Sequence, residues 1–94
     1  MDLTFEWDPD KAVANERKHG VGFDEAGTAF ADPLSVSVPD PRHSAEEERF
    51  VLFGRSDRNR LVAVMHTERG EVIRIISARL ATPRERREYA EGSA

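Results

Sequence analysis

Apolar and polar residues alternate along three consecutive stretches in the second half of the chain, a pattern typical of antiparallel strands. The stretches are RFVLFGRS (49–56), RLVAVMHTE (60–68) and EVIRIISAR (71–79). Arg69 and Gly70 read as a two-residue hairpin loop, which would pair Glu68 with Glu71 and fix the register. In that register both faces of the sheet are largely apolar, so each face needs a cover.

Two helices are predicted before these strands. Asp8 is a suitable N-cap and Pro9 a suitable first residue for a helix that ends at Gly20. Apolar residues spaced by three and four positions predict a second helix over about 23–31. These two helices can cover only one face of the sheet.

A short strand and a C-terminal helix complete the predicted elements. Leu34, Val36 and Val38 alternate with serines, which predicts a half-buried strand, and Thr82 with Glu85 forms a capping box. The expected fold class is therefore α+β in one domain, with two N-terminal helices, an antiparallel sheet and a C-terminal helix. The C-terminal helix is almost entirely charged, so we expect an apolar surface that a second chain buries.

The charges are divided unequally along the chain. The net charge is −4, but residues 1–48 carry 4 basic and 12 acidic side chains, and residues 49–94 carry 10 and 6. All ten basic residues of the second half are arginines, whose planar guanidinium suits phosphate. The alternative is that these arginines are solvated and pair with glutamates.

Several classes of site lack their usual sequence signals. The chain has no cysteine, no HExxH, no GxGxxG and no P-loop. The turn-rich segment PDPRHSAEEE (39–48) holds carboxylates and a histidine, a composition that ordinary loops share. We therefore expect no metal site and no cofactor. The acidic N-terminus and the short apolar stretches predict a cytoplasmic protein that does not enter the membrane.

An arginine-rich sheet with few other reactive groups is compatible with metal-independent RNA cleavage. In that reaction the neighbouring 2′-hydroxyl attacks the phosphate, so the enzyme supplies a base, an acid and positive charge. In the predicted register Arg55, Arg60 and Arg79 gather at one end of one face. His66 would lie about 20 Å from Arg79, too far to share one phosphate.

Two of these residues have an equally simple structural interpretation. His66, which forms a second candidate cluster with Arg49 at the other end of the sheet, could instead be a satisfied histidine at a sheet edge. Arg79 could form a surface ion pair with Glu85, six residues further along the chain. The residues alone leave these alternatives open.

The sequence also resembles a known family. The segments FEWDPDKAVANERKHGVGFDEA, FADP, EERF and HTERGEVIRIISARLATPRERREY resemble the BrnT toxins of the BrnT/BrnA toxin–antitoxin systems. The resemblance extends from Phe5 to Tyr89, and its most specific parts are KHGV and the tail RIISAR with ERREY.

The resemblance implies a RelE-like α+β fold and a ribonuclease that arrests translation. It also implies a ribbon-helix-helix antitoxin that neutralises the toxin, and operator DNA that is bound only through the toxin–antitoxin complex. The matching positions are Lys18, His19, Arg79, Glu85, Arg86 and Tyr89.

Together, the arginine pattern and the resemblance give two sets of candidate residues. The candidate catalytic residues are Arg79, Arg55, Lys18, His19 and Tyr89. The candidate RNA-binding residues are Arg60, Arg84, Arg86, His66 and Arg74. The alternative function is a non-catalytic binding module that docks a transcriptional regulator or a ribosomal component. Direct DNA binding is disfavoured because no predicted helix has a basic, groove-reading face.

Overall fold

A computed structural model describes residues 3–40 and 47–92. The helices of this part are α1 (Pro9–His19), α2 (Phe23–Thr28), which a 3-10 turn continues (Ala29–Ala31), and α3 (Pro83–Gly92). The strands are β1 (Thr4–Glu6), β2 (Val36–Pro39), β3 (Arg49–Arg55), β4 (Leu61–Arg69) and β5 (Val72–Leu80). The predicted elements are all present, and much of the segment PDPRHSAEEE lies outside the described residues.

The strands form one sheet in the order β1-β5-β4-β3-β2. The central strands β3, β4 and β5 are antiparallel, as predicted, but β1 lies parallel to β5. The prediction of a wholly antiparallel sheet was therefore wrong at this edge. A strand of only three residues is too short to show alternation in the sequence, and its Phe5 ring packs edge-on against Phe30 with centroids 5.3 Å apart.

The hairpin between β4 and β5 turns one residue later than predicted. Its loop is Gly70 and Glu71, so that Arg69 pairs with Val72, and Glu68 does not pair with Glu71. Gly70 takes a left-handed φ of 63°, which suits the first position of a type II′ turn and costs glycine little.

A β-bulge in β5 changes the register a second time. Met65 pairs with Ser77 whereas His66 pairs with Ile75, so Ile76 has no partner in β4. Because side chains alternate between faces along a strand, one extra residue reverses the faces that follow it. Residues of β5 after Ile76 therefore face the side opposite to that predicted.

The helices α1 and α2 cover one face of the sheet and form the core with it. The buried apolar residues of this core are Val21, Phe23, Ala26, Ala29, Leu52, Val62, Val64, Ile75 and Ala78. Trp7 packs edge-on against Phe23 with ring centroids 6.0 Å apart. Both N-terminal helices therefore pack on one face of the sheet.

Asn15 of α1 completes the open edge of β5 beyond its pairing with β1. Its side-chain oxygen accepts from the Ala78 N–H at 3.1 Å and its amide nitrogen donates to the Ala78 carbonyl at 2.9 Å. The same nitrogen donates to the Val21 carbonyl at 3.0 Å. The buried amide therefore replaces the backbone of a neighbouring strand and satisfies groups that would otherwise be buried without partners.

The opposite face is incompletely covered, as predicted. Val36 and Val38 are each 38% exposed and Leu34 is 55% exposed, so β2 is more exposed than the half-buried strand expected. The helix α3 lies on this face but has no buried residue.

Candidate arginine site

Two candidate arginines lie on the same face and at the same end of the sheet. Arg55 ends β3 opposite Leu61, and Arg79 of β5 lies opposite Ala63. Because of the bulge, Arg79 lies on the face covered by α3, whereas the register predicted from the sequence places it on the same face as Val64 and His66. The structure therefore places both guanidinium groups beside α3.

Arg79 is paired with a carboxylate of α3. Its two terminal nitrogens donate to the two oxygens of Glu85 at 2.7 and 3.0 Å. This hydrogen-bonded pair raises the pKa of Arg79 and lowers the pKa of Glu85. The alternative interpretation, in which Arg79 forms an ion pair with Glu85, therefore describes a contact that is present.

The same carboxylate caps α3. Glu85 accepts from the Thr82 N–H at 2.9 Å, and the Glu85 N–H donates to the Thr82 hydroxyl at 3.2 Å. The predicted capping box is therefore formed. Since Glu85 holds both the helix start and Arg79, a phosphate that binds Arg79 would have to compete with this carboxylate.

Tyr89, in the last turns of α3, is bound to Asp32. Its hydroxyl donates to the Asp32 carboxylate at 2.6 Å. This hydrogen bond raises the pKa of Tyr89 above its ordinary value. Burial alone would raise the pKa of Asp32, but the hydrogen bonds from Tyr89 and from the backbone N–H groups of Arg55 and Leu34 lower it.

Arg55 is held differently from Arg79. Its guanidinium carbon lies 5.9 Å from the centroid of the Tyr89 ring, and it donates to the Asn59 carbonyl at 3.4 Å. Asp32 lies close enough for its charge to interact with Arg55, but no salt bridge joins the Arg55 side chain to a carboxylate of the described residues, whereas Arg79 and Arg74 are both paired. A half-buried guanidinium without a paired carboxylate retains donors for an incoming phosphate.

Arg60 does not join this site. Its guanidinium reaches the other side of the sheet, where its Nε donates to the buried carboxylate of Glu25 at 2.9 Å and a terminal nitrogen donates to the Gly20 carbonyl at 3.0 Å. Ser56 also donates to Glu25, at 2.7 Å. Arg60, with help from Ser56, lowers the pKa of Glu25 despite its burial. The predicted grouping of Arg60 with Arg55 and Arg79 was wrong, because this arginine joins both N-terminal helices to the turn before β4.

His66 is packed within the fold. Its side chain is 1% exposed and lies between the rings of Phe50 and Phe30, at centroid distances of 5.7 and 4.9 Å. Its Nδ1 is 3.2 Å from the Val64 carbonyl oxygen. Burial lowers the pKa of this histidine. The environment is that of the satisfied structural histidine, and RNA cannot reach the ring in this conformation.

The remaining candidates are distributed over other surfaces. Lys18 and His19 occupy the last turn of α1, and the structure shows no contact that joins them to Arg79 or Tyr89. Arg74 pairs with Glu6 at 2.9 Å beside β1. Two further candidates lie on the exposed surface of α3: Arg84, which pairs with Glu88 at 3.1 Å, and Arg86.

Asp32 was not among the residues predicted for the site. The FADP segment that contains Asp32 contributes only to the family resemblance, and an Asp-Pro pair after a helix indicates no more than the end of that helix. Its bond to Tyr89 joins residues 57 positions apart, which no local pattern in one sequence can show. Asp32 and Arg55 also line an open cleft of about 490 Å³, together with Thr28, Ala31, Ser56 and Asp57.

Comparisons with known proteins agree with the sequence resemblance. A family model described as the ribonuclease toxin, BrnT, of type II toxin–antitoxin systems matches residues 7–85. The crystal structure of the Brucella abortus ribonuclease toxin BrnT is similar to this fold, with a TM-score of 0.67 and 23% sequence identity. The alignment covers 86% of this chain and 99% of the Brucella chain. No curated protein sequence matches.

Proposed function

The chain belongs to the BrnT family of ribonuclease toxins of type II toxin–antitoxin systems, and from this premise we propose that it cleaves RNA without a metal ion at the end of the sheet that carries Arg55 and Arg79. One observation carries the location of the site. The Arg55 guanidinium lies against the Tyr89 ring, without a paired carboxylate among the described residues, on the face that also carries Arg79. Two guanidinium groups on one face of the sheet suit a phosphate and its neighbours along an RNA strand.

The proposed reaction is an attack of the RNA 2′-hydroxyl on its own phosphate. The new bond joins the 2′-oxygen to phosphorus and the bond from phosphorus to the 5′-oxygen breaks, which leaves a 2′,3′-cyclic phosphate and a 5′-hydroxyl. Arg55 and Arg79 stabilise the charge that develops on the phosphate oxygens. A base removes the 2′-proton and an acid protonates the 5′-oxygen.

Tyr89, whose ring lies beside the Arg55 guanidinium, is the first proposed proton-handling residue. Lys18 and His19 are further proposals for proton transfer. Arg79 takes part only after it exchanges Glu85 for phosphate. Within the described residues, no three His, Cys, Asp or Glu side chains are grouped as ligands of a metal would be. We assign charge stabilisation to Arg55 and Arg79, with Arg84 and Arg86 as contacts for flanking phosphates.

The biological setting is also part of the proposal. We infer that the protein acts in the cytoplasm, that RNA cleavage arrests translation, and that a ribbon-helix-helix antitoxin neutralises it. Operator DNA would be bound only through the antitoxin complex. The exposed apolar residues of β2, Val36 and Val38, support a partner that buries this face. None of the three helices in the described residues could span a lipid bilayer.

The test is RNA cleavage by purified wild type, Arg55→Ala and Arg79→Ala. Each substitution removes one charge contact to the transition state, so the cleavage rate should fall about 10²–10³-fold, and expression should no longer arrest growth. The matched control is Arg87→Ala, an exposed arginine of α3 that has no proposed role. Its cleavage rate should equal that of the wild type.

Circular dichroism must show that each variant is folded. A folded Arg79→Ala protein that cleaves RNA at the wild-type rate would make Arg79 a structural surface residue. A wild-type protein that binds RNA or its antitoxin but cleaves nothing would instead support the non-catalytic binding module.

A further inference from the structure

Asp32 connects three separate parts of the chain. It follows the 3-10 turn, and its two carboxylate oxygens accept from the backbone N–H groups of Leu34 at 2.9 Å and of Arg55 at 2.8 Å. The first bond closes a local turn and the second joins Asp32 to the end of β3. The carboxylate is therefore fixed by backbone groups, independently of α3.

The position of Tyr89 depends on this carboxylate. The Tyr89 hydroxyl donates to Asp32 at 2.6 Å, near the C-terminal end of a helix that has no buried residue. The first turn of α3 is held separately, by the ion pair of Glu85 with Arg79. Loss of the Asp32 acceptor would therefore free the Tyr89 ring while the start of the helix stays attached.

The Tyr89 ring in turn supports the Arg55 guanidinium, which lies 5.9 Å from the ring centroid, within range of a cation–π interaction. We propose that Asp32 is a positioning residue of the reaction: it holds Tyr89, and through the Tyr89 ring it holds Arg55 in the geometry that binds the scissile phosphate. This inference rests on the ribonuclease activity proposed above. It adds a residue that does not touch the RNA itself.

The charges around Tyr89 make this arrangement measurable. The hydrogen bond to Asp32 raises the pKa of the phenol, and Arg55 opposes that shift. Glu85 and Glu88 of α3 line the same groove as Tyr89, and both remain when Asp32 is changed. Asp32→Asn removes one full negative charge, so the phenol pKa should fall.

The first measurement is a spectrophotometric titration of the phenol. Tyr89 is the only tyrosine of the chain, so the ultraviolet absorbance of tyrosinate reports this group alone. The phenol should ionise at lower pH in Asp32→Asn than in the wild type. The matched control is Asp57→Asn. The Asp57 carboxylate lines the same cleft as Asp32 but accepts a hydrogen bond from Thr28. The phenol pKa of this control should match the wild type, and equal pKa values in all three proteins would overturn the proposal.

The second measurement is steady-state RNA cleavage. Asp32→Asn should lower kcat about ten- to hundred-fold, as expected for a misplaced catalytic contact, and the alkaline limb of its pH profile should move down with the phenol pKa. Tyr89→Phe removes the same hydrogen bond together with the proposed proton-handling hydroxyl, so its kcat should fall at least as far as that of Asp32→Asn. If Asp32→Asn does not fold, Asp32→Glu, which keeps the negative charge but displaces the acceptor, carries the kcat test. The double variant should lose less than the combined single losses, because both changes break the same Asp32–Tyr89 hydrogen bond.

The two proposals fail in different ways. An active wild type with an equally active Asp32→Asn variant would overturn only the positioning role, since the Asp32–Tyr89 pair would then be merely structural. An equally active Tyr89→Phe variant would also remove Tyr89 from the proton-handling groups. Additive losses in the double variant would also overturn it. A wild type that cleaves no RNA would overturn both proposals.

Discussion

At the scale of single residues, His66 makes the stability of the protein depend on pH. Its ring is buried between two phenylalanines, and burial lowers its pKa below the ordinary value of 6.5, although Glu68, 3.8 Å away, opposes the shift. The unfolded chain therefore binds a proton that the folded chain resists. The stabilising contribution is complete above about pH 6.5 and is lost as the pH falls toward the lowered pKa.

We expect the free energy of unfolding to decline between pH 7 and pH 5 in the wild type and much less in His66→Phe, which keeps an aromatic ring but cannot titrate. Urea unfolding at a series of pH values checks this. Below about pH 4.5 both proteins should weaken, because Glu25 and Glu85 have lowered pKa values and lose their ion pairs when protonated. Parallel stability curves between pH 7 and pH 5 would show that His66 is not the titrating group.

Some residue roles could be predicted from the sequence and others could not. The N-cap Asp8, the C-cap Gly20 and the capping box of Thr82 act on residues within a few positions, so their patterns are visible locally. Asn15 and Asp32 act on partners 63 and 57 positions away. The sequence shows that both are polar residues, but the partners of Asn15 and Asp32 depend on how the strands and helices pack together.

At the scale of elements, the bulge in β5 decides which face carries Arg79. The alternation of apolar residues correctly predicted three antiparallel strands, yet the sequence VIRIISAR permits more than one position for an extra residue. Ile76 takes that place, and Ala78 then faces the core while Arg79 faces α3. A bulge leaves no local signature when residues on both faces are apolar.

The helix α3 is held by a few polar contacts. None of its residues is buried, and its ties to the remaining fold include the Glu85 ion pair with Arg79 and the Tyr89 hydrogen bond to Asp32. We expect its backbone amides to exchange with deuterium faster than those of β4, since local opening exposes little apolar surface. Glu85→Gln should accelerate exchange in α3 further.

The control for this exchange measurement is Glu88→Gln on the same helix. Glu88 pairs with the exposed Arg84 at 3.1 Å, and such surface pairs contribute little to stability. Exchange in α3 should therefore resemble the wild type. Protection of α3 equal to that of β4, or equal effects of the two substitutions, would contradict a helix tethered through Arg79.

At the scale of the whole molecule, the basic second half of the sequence does not form one surface of unpaired arginines. Several arginines of the basic half pair with carboxylates, which agrees with the alternative that these arginines are surface residues paired with glutamates. They are Arg60, Arg74, Arg79 and Arg84. Arg55 stands apart because its support is an aromatic ring. The family and the α+β architecture were predictable, whereas the RelE-like relationship and the antitoxin type stay predictions.

The central claim is that this molecule cleaves RNA by internal attack of the 2′-hydroxyl at the Arg55 and Arg79 end of the sheet. The most direct measurement is the chemistry of the RNA fragment ends after cleavage by the purified protein in excess chelator. The account predicts undiminished cleavage with 2′,3′-cyclic phosphate and 5′-hydroxyl ends. Fragments with 3′-hydroxyl and 5′-phosphate ends that form only when a divalent metal is restored would contradict it.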